Sequence, residues 1–270
     1  MPSKLIVSAD DFGLSTEVND AVERAHREGI LRAASLMVAA DASEDAVRRA
    51  HALPSLRVGL HLVLVNGRPL LPPERVAPLV DAEGAFPSNL AAAGITWFFH
   101  PGARRALEAE IRAQFEAFAR TGLHLDHVNA QNHMHVHPTV LGIVLKVGRE
   151  YGLRAVRVPR ERGDAAFLTP WLDLMEWRLR AAGMIANDVV LGIRYSGHMT
   201  PERVLALLDG LEPDIVSEMY FHPATQAWPG IDPQIAGYDF AGELAALVSP
   251  EVRAKIERLD ARLLTYSELA

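Results

Sequence analysis

The sequence has no cysteine, which excludes disulfide bonds and thiolate metal ligands. Any metal ion must therefore be held by histidine, carboxylate or amide oxygen. Basic residues are also few, since 27 lysines and arginines face 34 aspartates and glutamates, for a net charge of -7. No stretch is rich in lysine and arginine, so the chain has no electrostatic pattern for binding phosphate backbones. We expect no nucleic-acid partner.

Long apolar runs and linkers are absent as well. No apolar run reaches the roughly 18 residues of a membrane span, and the N-terminal residues lack the pattern of a signal peptide. We therefore expect a cytoplasmic protein. No internal repeat or low-complexity linker divides the 270 residues, of which 49% are hydrophobic. A chain of this length and composition can form one barrel-type domain or two smaller ones, and we expect a single domain over residues 1–270.

Five of the eleven histidines lie in one short stretch, residues 124–138, with the sequence HLDHVNAQNHMHVHP. If this stretch stays extended, His133, His135 and His137 point to the same side of the strand and can converge on one point. Neutral imidazole is a common metal ligand, so the stretch predicts a metal site. The alternative interpretation is a polar strand end whose histidines are merely hydrogen-bonded.

Apolar runs of strand length alternate with segments of helical spacing along most of the chain. This alternation predicts a parallel sheet covered by helices. The predicted strands are 4–9, 33–39, 57–62, 123–128, 155–158, 189–193, 215–221 and 262–265. The predicted helices are 15–28, 43–52, 103–120, 138–151, 171–182, 201–208, 243–247 and 251–259.

The residues that could bind a metal or take part in catalysis lie at the ends of predicted strands. Asp10 and Asp11 come after the first strand, His61 ends the third, the histidine stretch follows the fourth, and His222 follows the seventh. Parallel α/β folds place their sites at the carboxyl ends of strands, and a barrel gathers these ends in one mouth. We predict an α/β fold with a single-domain, distorted (β/α) barrel of seven or eight strands.

The alternation stops at residues 63–101, where Pro69, Pro72, Pro73, Pro78 and Pro87 indicate a long insertion without regular structure. The insertion ends in an apolar segment that contains Trp97, Phe98 and Phe99. This segment either packs a small core for the loop or forms an apolar wall for a substrate. We expect Trp97 and Phe98, together with Arg157, to contact the substrate.

A carboxylate pair with two or three histidines suits zinc, magnesium or manganese with positions left open for water and substrate. Such an ion polarises a carbonyl and lowers the pKa of bound water. Asp10 and Asp11 are expected on different sides of the strand end, so one can bind the ion while the other acts as a base. His222 can protonate a leaving group. Taken alone, the aspartate pair is more typical of a turn that caps a helix.

Four motifs resemble the YdjC-like carbohydrate deacetylases, and the resemblance covers nearly the whole chain in order. The motifs are LIVSADDFGLS, GLHLVL followed by GRPL, LDHVN followed by HMHVHP, and YFHPA. The stretches AASLMVAA and RAVRVPRE are more similar to the branch of this family associated with hopanoid biosynthesis. The resemblance implies removal of the acetyl group from an N-acetylglucosaminyl hopanoid.

Carried over by position, the resemblance implies one divalent ion, magnesium or zinc, bound by Asp11 and His61. It also implies that Asp10 is the base and His222 the acid. The family pattern has a further metal histidine at position 131, where this chain has Gln131, a weaker ligand for zinc. His133 is the candidate replacement.

Several alternatives follow. The resemblance implies an N-acetylated sugar as the substrate, either lipid-linked, with a peripheral contact to a membrane, or soluble, as for a chitooligosaccharide deacetylase. A different metal-dependent barrel hydrolase and a metal-impaired sugar-binding homologue are the competing interpretations.

Overall fold

A curled sheet of parallel strands forms the frame of the protein, for which we describe residues 2–163 and 168–269 of a computed structural model. Seven strands are present in these ranges, in the spatial order β4, β3, β2, β1, β6, β5, with β7 paired to the first half of β1. They are β1 (Lys4–Phe12), β2 (Ala33–Leu36), β3 (Arg57–Leu62), β4 (Leu125–Ala130), β5 (Val189–Val190), β6 (Val216–Phe221) and β7 (Arg262–Leu264).

Helices pack around this sheet. They are α1 (Thr16–Glu28), α2 (Ser43–Ala52), α3 (Leu90–Phe99), α4 (Pro101–Arg120), α5 (Pro138–Gly148), α6 (Thr169–Ala181), α7 (Pro201–Leu208), α8 (Phe240–Val248) and α9 (Pro250–Arg258). Helix α1 begins where the sequence predicts, because the Ser15 hydroxyl accepts the backbone N–H of Val18. No helix in the described ranges is long and apolar enough to cross a membrane.

Two isolated β-bridges continue the curled sheet from β4 towards β5. Val156 pairs with Val128 of β4, and Ala155 pairs with Ile185, a few residues before β5. The predicted strand 155–158 shrinks to these bridges because the side chain of Asn187 bonds both the N–H and the carbonyl of Val158. The predicted α/β barrel is confirmed in this distorted form.

The insertion is more ordered than predicted. Helix α3 lies inside it, capped by the side chain of Asn89, so the expectation of an irregular loop over 63–101 is wrong. The preceding residues pack on α4, where the buried Glu110 accepts the backbone N–H groups of Leu70 and Leu71. Gln114 of the same helix bonds both backbone groups of Val63. Two buried polar side chains therefore hold the start of the insertion against the barrel.

The histidine stretch is not extended. Residues Gln131–Val136 form a 3₁₀ helix interrupted by left-handed backbone at Asn132 (φ 51) and His133 (φ 55). The prediction that His133, His135 and His137 share one side is therefore wrong. His135 instead turns into the protein, where its Nε2 lies 2.9 Å from the carbonyl oxygen of Arg157.

Gly59 of β3 makes room for a histidine inside the barrel. A Cβ at this position would lie 2.6 Å from both the ring and the carbonyl oxygen of His127, which is fully buried. The His127 ring stacks on Tyr266 and bonds Asp126 through Nδ1, and these two contacts hold it against β3. Glycine is required here by close packing.

We expect Gly59→Ala to lower the free energy of unfolding by about 1–3 kcal/mol, because the added methyl group overpacks a rigid contact. Urea unfolding measures the change. Gly237→Ala is the matched control, since a Cβ there meets nothing within 4 Å, and its effect should stay below about 1 kcal/mol. Equal stability of the two variants would refute the packing argument.

Candidate active site

The carboxyl ends of the strands open into a cavity of about 700 Å³. Six of the predicted site residues line it, although they come from four separate parts of the chain. They are Asp10, Asp11, His61, Gln131, His133 and His222. A cavity of this size is typical of a small-molecule site.

Asp10 and Asp11 both face the cavity, which differs from the expectation that they point to different sides. Asp11 has left-handed backbone (φ 63), and the pairing of β1 with β2 is irregular between Ala9 and Phe12. This backbone change breaks the alternation of side chains along β1. Positive φ is strained for a residue with a Cβ, and such strain is common at functional sites.

Asp10 is held by Arg157 and two neutral side chains. Arg157 donates from Nη1 to Oδ2 (2.6 Å) and from Nη2 to Oδ1 (2.9 Å), and Ser35 and Asn129 also donate to Oδ1 at 3.0 Å. Burial alone would raise the pKa of Asp10, but the charge and the hydrogen bonds of Arg157, with smaller contributions from neighbouring side chains, together outweigh it, and the pKa lies well below its usual value. Asp10 is therefore an ionised and rigidly oriented carboxylate.

Arg157 lies beneath the cavity and also binds a second carboxylate, that of Glu218. It donates from Nε (3.0 Å) and Nη2 (2.9 Å) to Glu218, which also accepts the hydroxyl of Tyr266 at 2.6 Å. Arg157 is fully buried, and its guanidinium lies 4.7 Å from the ring centre of Tyr220. The structure does not support the expected substrate contact for Arg157, because its donors are engaged inside the barrel.

His61 presents one ring nitrogen towards Asp11. Its Nδ1 lies 2.9 Å from Asn129 Oδ1 and 3.1 Å from the hydroxyl of Ser35, whereas Nε2 is buried without a hydrogen-bond partner, 3.4 Å from Asp11 Oδ1. Burial lowers the pKa of His61, so the ring is neutral. With a proton on Nδ1, the lone pair on Nε2 faces the cavity, which is the arrangement of a metal-binding histidine.

Gln131 and His133 differ in what they offer to an ion. Gln131 Oε1 is buried and has no hydrogen-bond partner in the described residues, so it is free to bind a cation. His133 Nε2 instead lies 3.2 Å from the hydroxyl of Tyr220. Its Nδ1 is also buried without a hydrogen-bond partner in the described residues, so His133 has one ring nitrogen that is not engaged.

These donors fit one divalent ion. Two ligands at about 2.1 Å from a common ion lie about 3.0–3.5 Å apart, in agreement with the 3.4 Å between Asp11 Oδ1 and His61 Nε2. Burial, together with the charges of Asp10 and Glu243, raises the pKa of Asp11 to about 7, and a cation would offset this repulsion. The described residues contain no cluster of three histidine, aspartate or glutamate side chains that could hold a metal, so an ion at Asp11 and His61 would need a further ligand of another kind, such as the amide oxygen of Gln131 or water.

His222 lies across the cavity beside a carboxylate that the sequence did not reveal. The buried Glu243 of α8 accepts the backbone N–H groups of His222 and Met199, and its Oε2 lies 3.9 Å from His222 Nδ1. Burial lowers the pKa of His222 to about 4 and raises that of Glu243 to about 7. The imidazole is therefore neutral at rest, and Glu243 fixes the strand end that carries it.

Much of the remaining cavity wall is formed by aromatic and apolar side chains, beside polar ones such as Asp41, Arg68 and Asp232. The aromatic and apolar side chains include Met37, Ile193, Tyr220, Trp228 and Tyr238. Of these, Met37 and Tyr220 lie in stretches that carry the family resemblance, whereas Ile193, Trp228 and Tyr238 do not. Flat aromatic faces beside a few polar groups suit the ring of a sugar.

Trp97 and Phe98, the predicted substrate contacts, do not line this cavity. Trp97 is 1% exposed and its ring packs edge-on against His137, so the prediction of an accessible apolar wall is wrong for this residue. Phe98 is 40% exposed and pairs with Phe99, which is 75% exposed. These two rings form an apolar surface outside the cavity.

The geometry defines a parallel α/β barrel protein with a histidine and carboxylate site at the carboxyl ends of its strands. The family model described as YdjC-like protein matches residues 4–258. The chain belongs to the YdjC-like family.

Similar proteins cover almost its full length. A carbohydrate deacetylase from Brevibacillus brevis is 32% identical over 98% of this chain and 99% of its own length. A carbohydrate deacetylase from Vibrio vulnificus is also 32% identical, over 98% of this chain and 96% of its own. A crystal structure from Enterococcus faecalis, described as a candidate cellobiose-phosphate cleavage protein, is 26% identical with a TM-score of 0.81 and full coverage of both chains.

We expect Gln131→His to bind Zn²⁺ at least about tenfold more tightly, or ~1.4 kcal/mol, because imidazole is a stronger zinc ligand than an amide oxygen. Calorimetric titration of metal-free protein measures the change. Gln226→His places the same substitution on an exposed loop outside the cavity and should leave the affinity unchanged. If both variants match the unmodified protein, Gln131 does not face the ion.

Proposed function

We propose that the chain removes the N-acetyl group from a glycoconjugate that contains N-acetylglucosamine. The full-length similarity to curated carbohydrate deacetylases supports the reaction. The observation in the molecule that carries the proposal is the donor pair of Asp11 and His61 beside the rigidly held Asp10, inside a cavity with aromatic walls. These are the parts that hydrolysis of an amide requires.

Asp10 is the proposed base. Its Oδ2 accepts one hydrogen bond within the described residues, from Arg157, so it has a lone pair left for a water proton. A carboxylate with a low pKa is a weak base, and the water it deprotonates must itself be acidic. Asp11, His61 and Gln131 would hold a divalent ion, which would supply that acidity and polarise the acetamide carbonyl.

His222 is the proposed proton donor to the departing sugar amine. Since its pKa is about 4, the ring starts the reaction neutral and must first accept a proton released within the site. The backbone hydrogen bond to Glu243 keeps the ring at the cavity wall while this transfer takes place. The proton removed from water can then leave with the amine.

Replacing Asp10 with asparagine should lower kcat by about 100-fold or more, with KM changed by less than about threefold, because the base acts in the transition state. Acetate release from an N-acetylglucosamine oligomer measures both constants. Asp41→Asn is the control, since Asp41 lines the same cavity but is exposed. Unchanged kcat for Asp10→Asn would remove Asp10 from the base role.

The same measurement distinguishes the alternatives. Acetate release that stops on chelation and returns with Zn²⁺ or Mg²⁺ supports a metal-dependent deacetylase. Binding of N-acetylated sugars without acetate release, at any metal concentration, identifies a metal-impaired sugar-binding homologue.

For the substrate, we propose an N-acetylglucosaminyl hopanoid, on the basis of the sequence resemblance to the hopanoid-associated branch. Exposed aromatic rings on α3 support a lipid contact, because Phe98 and Phe99 form an apolar pair outside the cavity. Such a pair can rest at a membrane surface without spanning it. A soluble chitooligosaccharide is the alternative substrate.

Replacing Phe98 and Phe99 together with serine should lower kcat/KM for a lipid-linked N-acetyl sugar by about tenfold, since two exposed apolar rings are lost from the lipid contact. Activity on a soluble N-acetyl sugar should change by less than about twofold. Leu259→Ser, at an exposed apolar residue directly after α9, is the control. Equal losses on both substrates would rule out a lipid contact at α3.

A further inference from the structure

Two loops are joined by a reciprocal amide pair at the rim of the cavity. Asn66 donates from Nδ2 to Gln234 Oε1 at 2.9 Å, and Gln234 donates from Nε2 to Asn66 Oδ1 at 3.0 Å. Both residues line the cavity, and neither is buried. We refer to this pair as the amide bridge.

The topology of the sheet determines where the amide bridge runs. Asn66 follows β3 and Gln234 lies in the loop after β6, and these strands are separated by β2 and β1 in the order β3, β2, β1, β6. Three strand spacings of about 4.8 Å correspond to about 14 Å along the sheet. Loops that meet over this span must pass above the carboxyl ends of β1 and β2, where Asp10 and Asp11 lie.

The Asn66 side is braced by backbone contacts. Asn66 has left-handed backbone (φ 50), and the carbonyl of Gly67 accepts the N–H of Phe86 at 2.8 Å. A few residues later, Leu70 and Leu71 are bonded to the buried Glu110. The position of Asn66 is therefore set by the insertion and by α4 before it meets Gln234.

The Gln234 side is braced by a turn of its own. Asp232 accepts the backbone N–H of Gln234 on its side chain (2.8 Å) and that of Ile235 on its carbonyl (3.0 Å). Turns of this kind fix the direction of the side chain that follows. Each loop is thus held by its own contacts, and the hydrogen bonds between Asn66 and Gln234 join the two loops.

We propose that the amide bridge limits the cavity on one side and selects substrates in which the N-acetyl sugar lies at the end of its chain. This inference rests on the proposed deacetylase function. A sugar inside an oligomer needs space for the chain on both of its sides, that is, a groove open at both ends. A terminal sugar, whether on a short oligosaccharide or on a lipid, needs only one opening.

The bridge can be removed without touching the proposed catalytic groups. Gln234→Ala shortens one side chain, and Asn66→Gly removes the other while tolerating the positive φ. Gln226→Ala, in the same loop as Gln234 but away from the cavity, is the matched control. Two-unit and six-unit oligomers of N-acetylglucosamine are the substrates, and mass spectrometry identifies the units that lose acetyl.

In the unmodified protein, acetate should come from a terminal unit of the six-unit oligomer. Either bridge variant should raise kcat/KM for internal units by about tenfold, while kcat/KM for the two-unit substrate stays within about twofold. The control should behave like the unmodified protein. Internal deacetylation by the unmodified protein, or an unchanged ratio in both bridge variants, would overturn the proposal.

Binding separates this inference from the proposed function. Calorimetry with the same two oligomers should show tighter binding of the six-unit oligomer to the bridge variants, and no change for the two-unit oligomer. This binding pattern without any acetate release would retain the bridge and reject the deacetylase. Acetate release without any selectivity for terminal units would retain the deacetylase and reject the proposed role of the amide bridge.

Discussion

The structure depends on the buried guanidinium group of Arg157, which binds two carboxylates. Arg157 binds both oxygens of Asp10 and both of Glu218 inside the barrel, where all three side chains are nearly or fully buried. Removing one partner of such a group is costly, because the charges left behind lie in a medium that solvates them poorly. The barrel and the site are therefore built around the same interaction. It also separates the roles of two adjacent aspartates, since Arg157 holds Asp10 and leaves Asp11 facing His61.

Neighbouring elements converge on this group. The final turn of the chain supplies Tyr266, whose hydroxyl bonds Glu218, and the weak strand at 155–158 supplies Arg157 itself. A strand held by single bridges is a poor anchor by backbone pairing alone. Arg157 makes five hydrogen bonds to buried groups, and these hold the segment in place where backbone pairing is sparse. Function and closure of the barrel thus share one side chain, which explains why Arg157 is absent from the cavity wall.

Much of the fold could be predicted from the sequence, because alternating strands and helices have clear periods and the polar residues follow strand ends. The helix α2 and the strand β3 were predicted to the residue. The errors occur where tertiary contacts override local pattern. Left-handed backbone at Asp11 and His133 turns side chains away from strand alternation, and Asn89 caps a helix inside a segment that its prolines marked as irregular. Glu243 and the amide bridge were missed because each acts through partners remote in sequence, and no spacing rule reveals such pairs.

The central claim is that one divalent ion binds Asp11, His61 and Gln131 while Arg157 keeps Asp10 away from that ion. Anomalous diffraction from crystals grown with Zn²⁺ tests it most directly. The predicted result is a single peak in the cavity, about 2.0–2.2 Å from Asp11 and His61, with both oxygens of Asp10 still bonded to Arg157. A peak coordinated by Asp10, or crystals of active enzyme with no ion beside His61, would contradict the account.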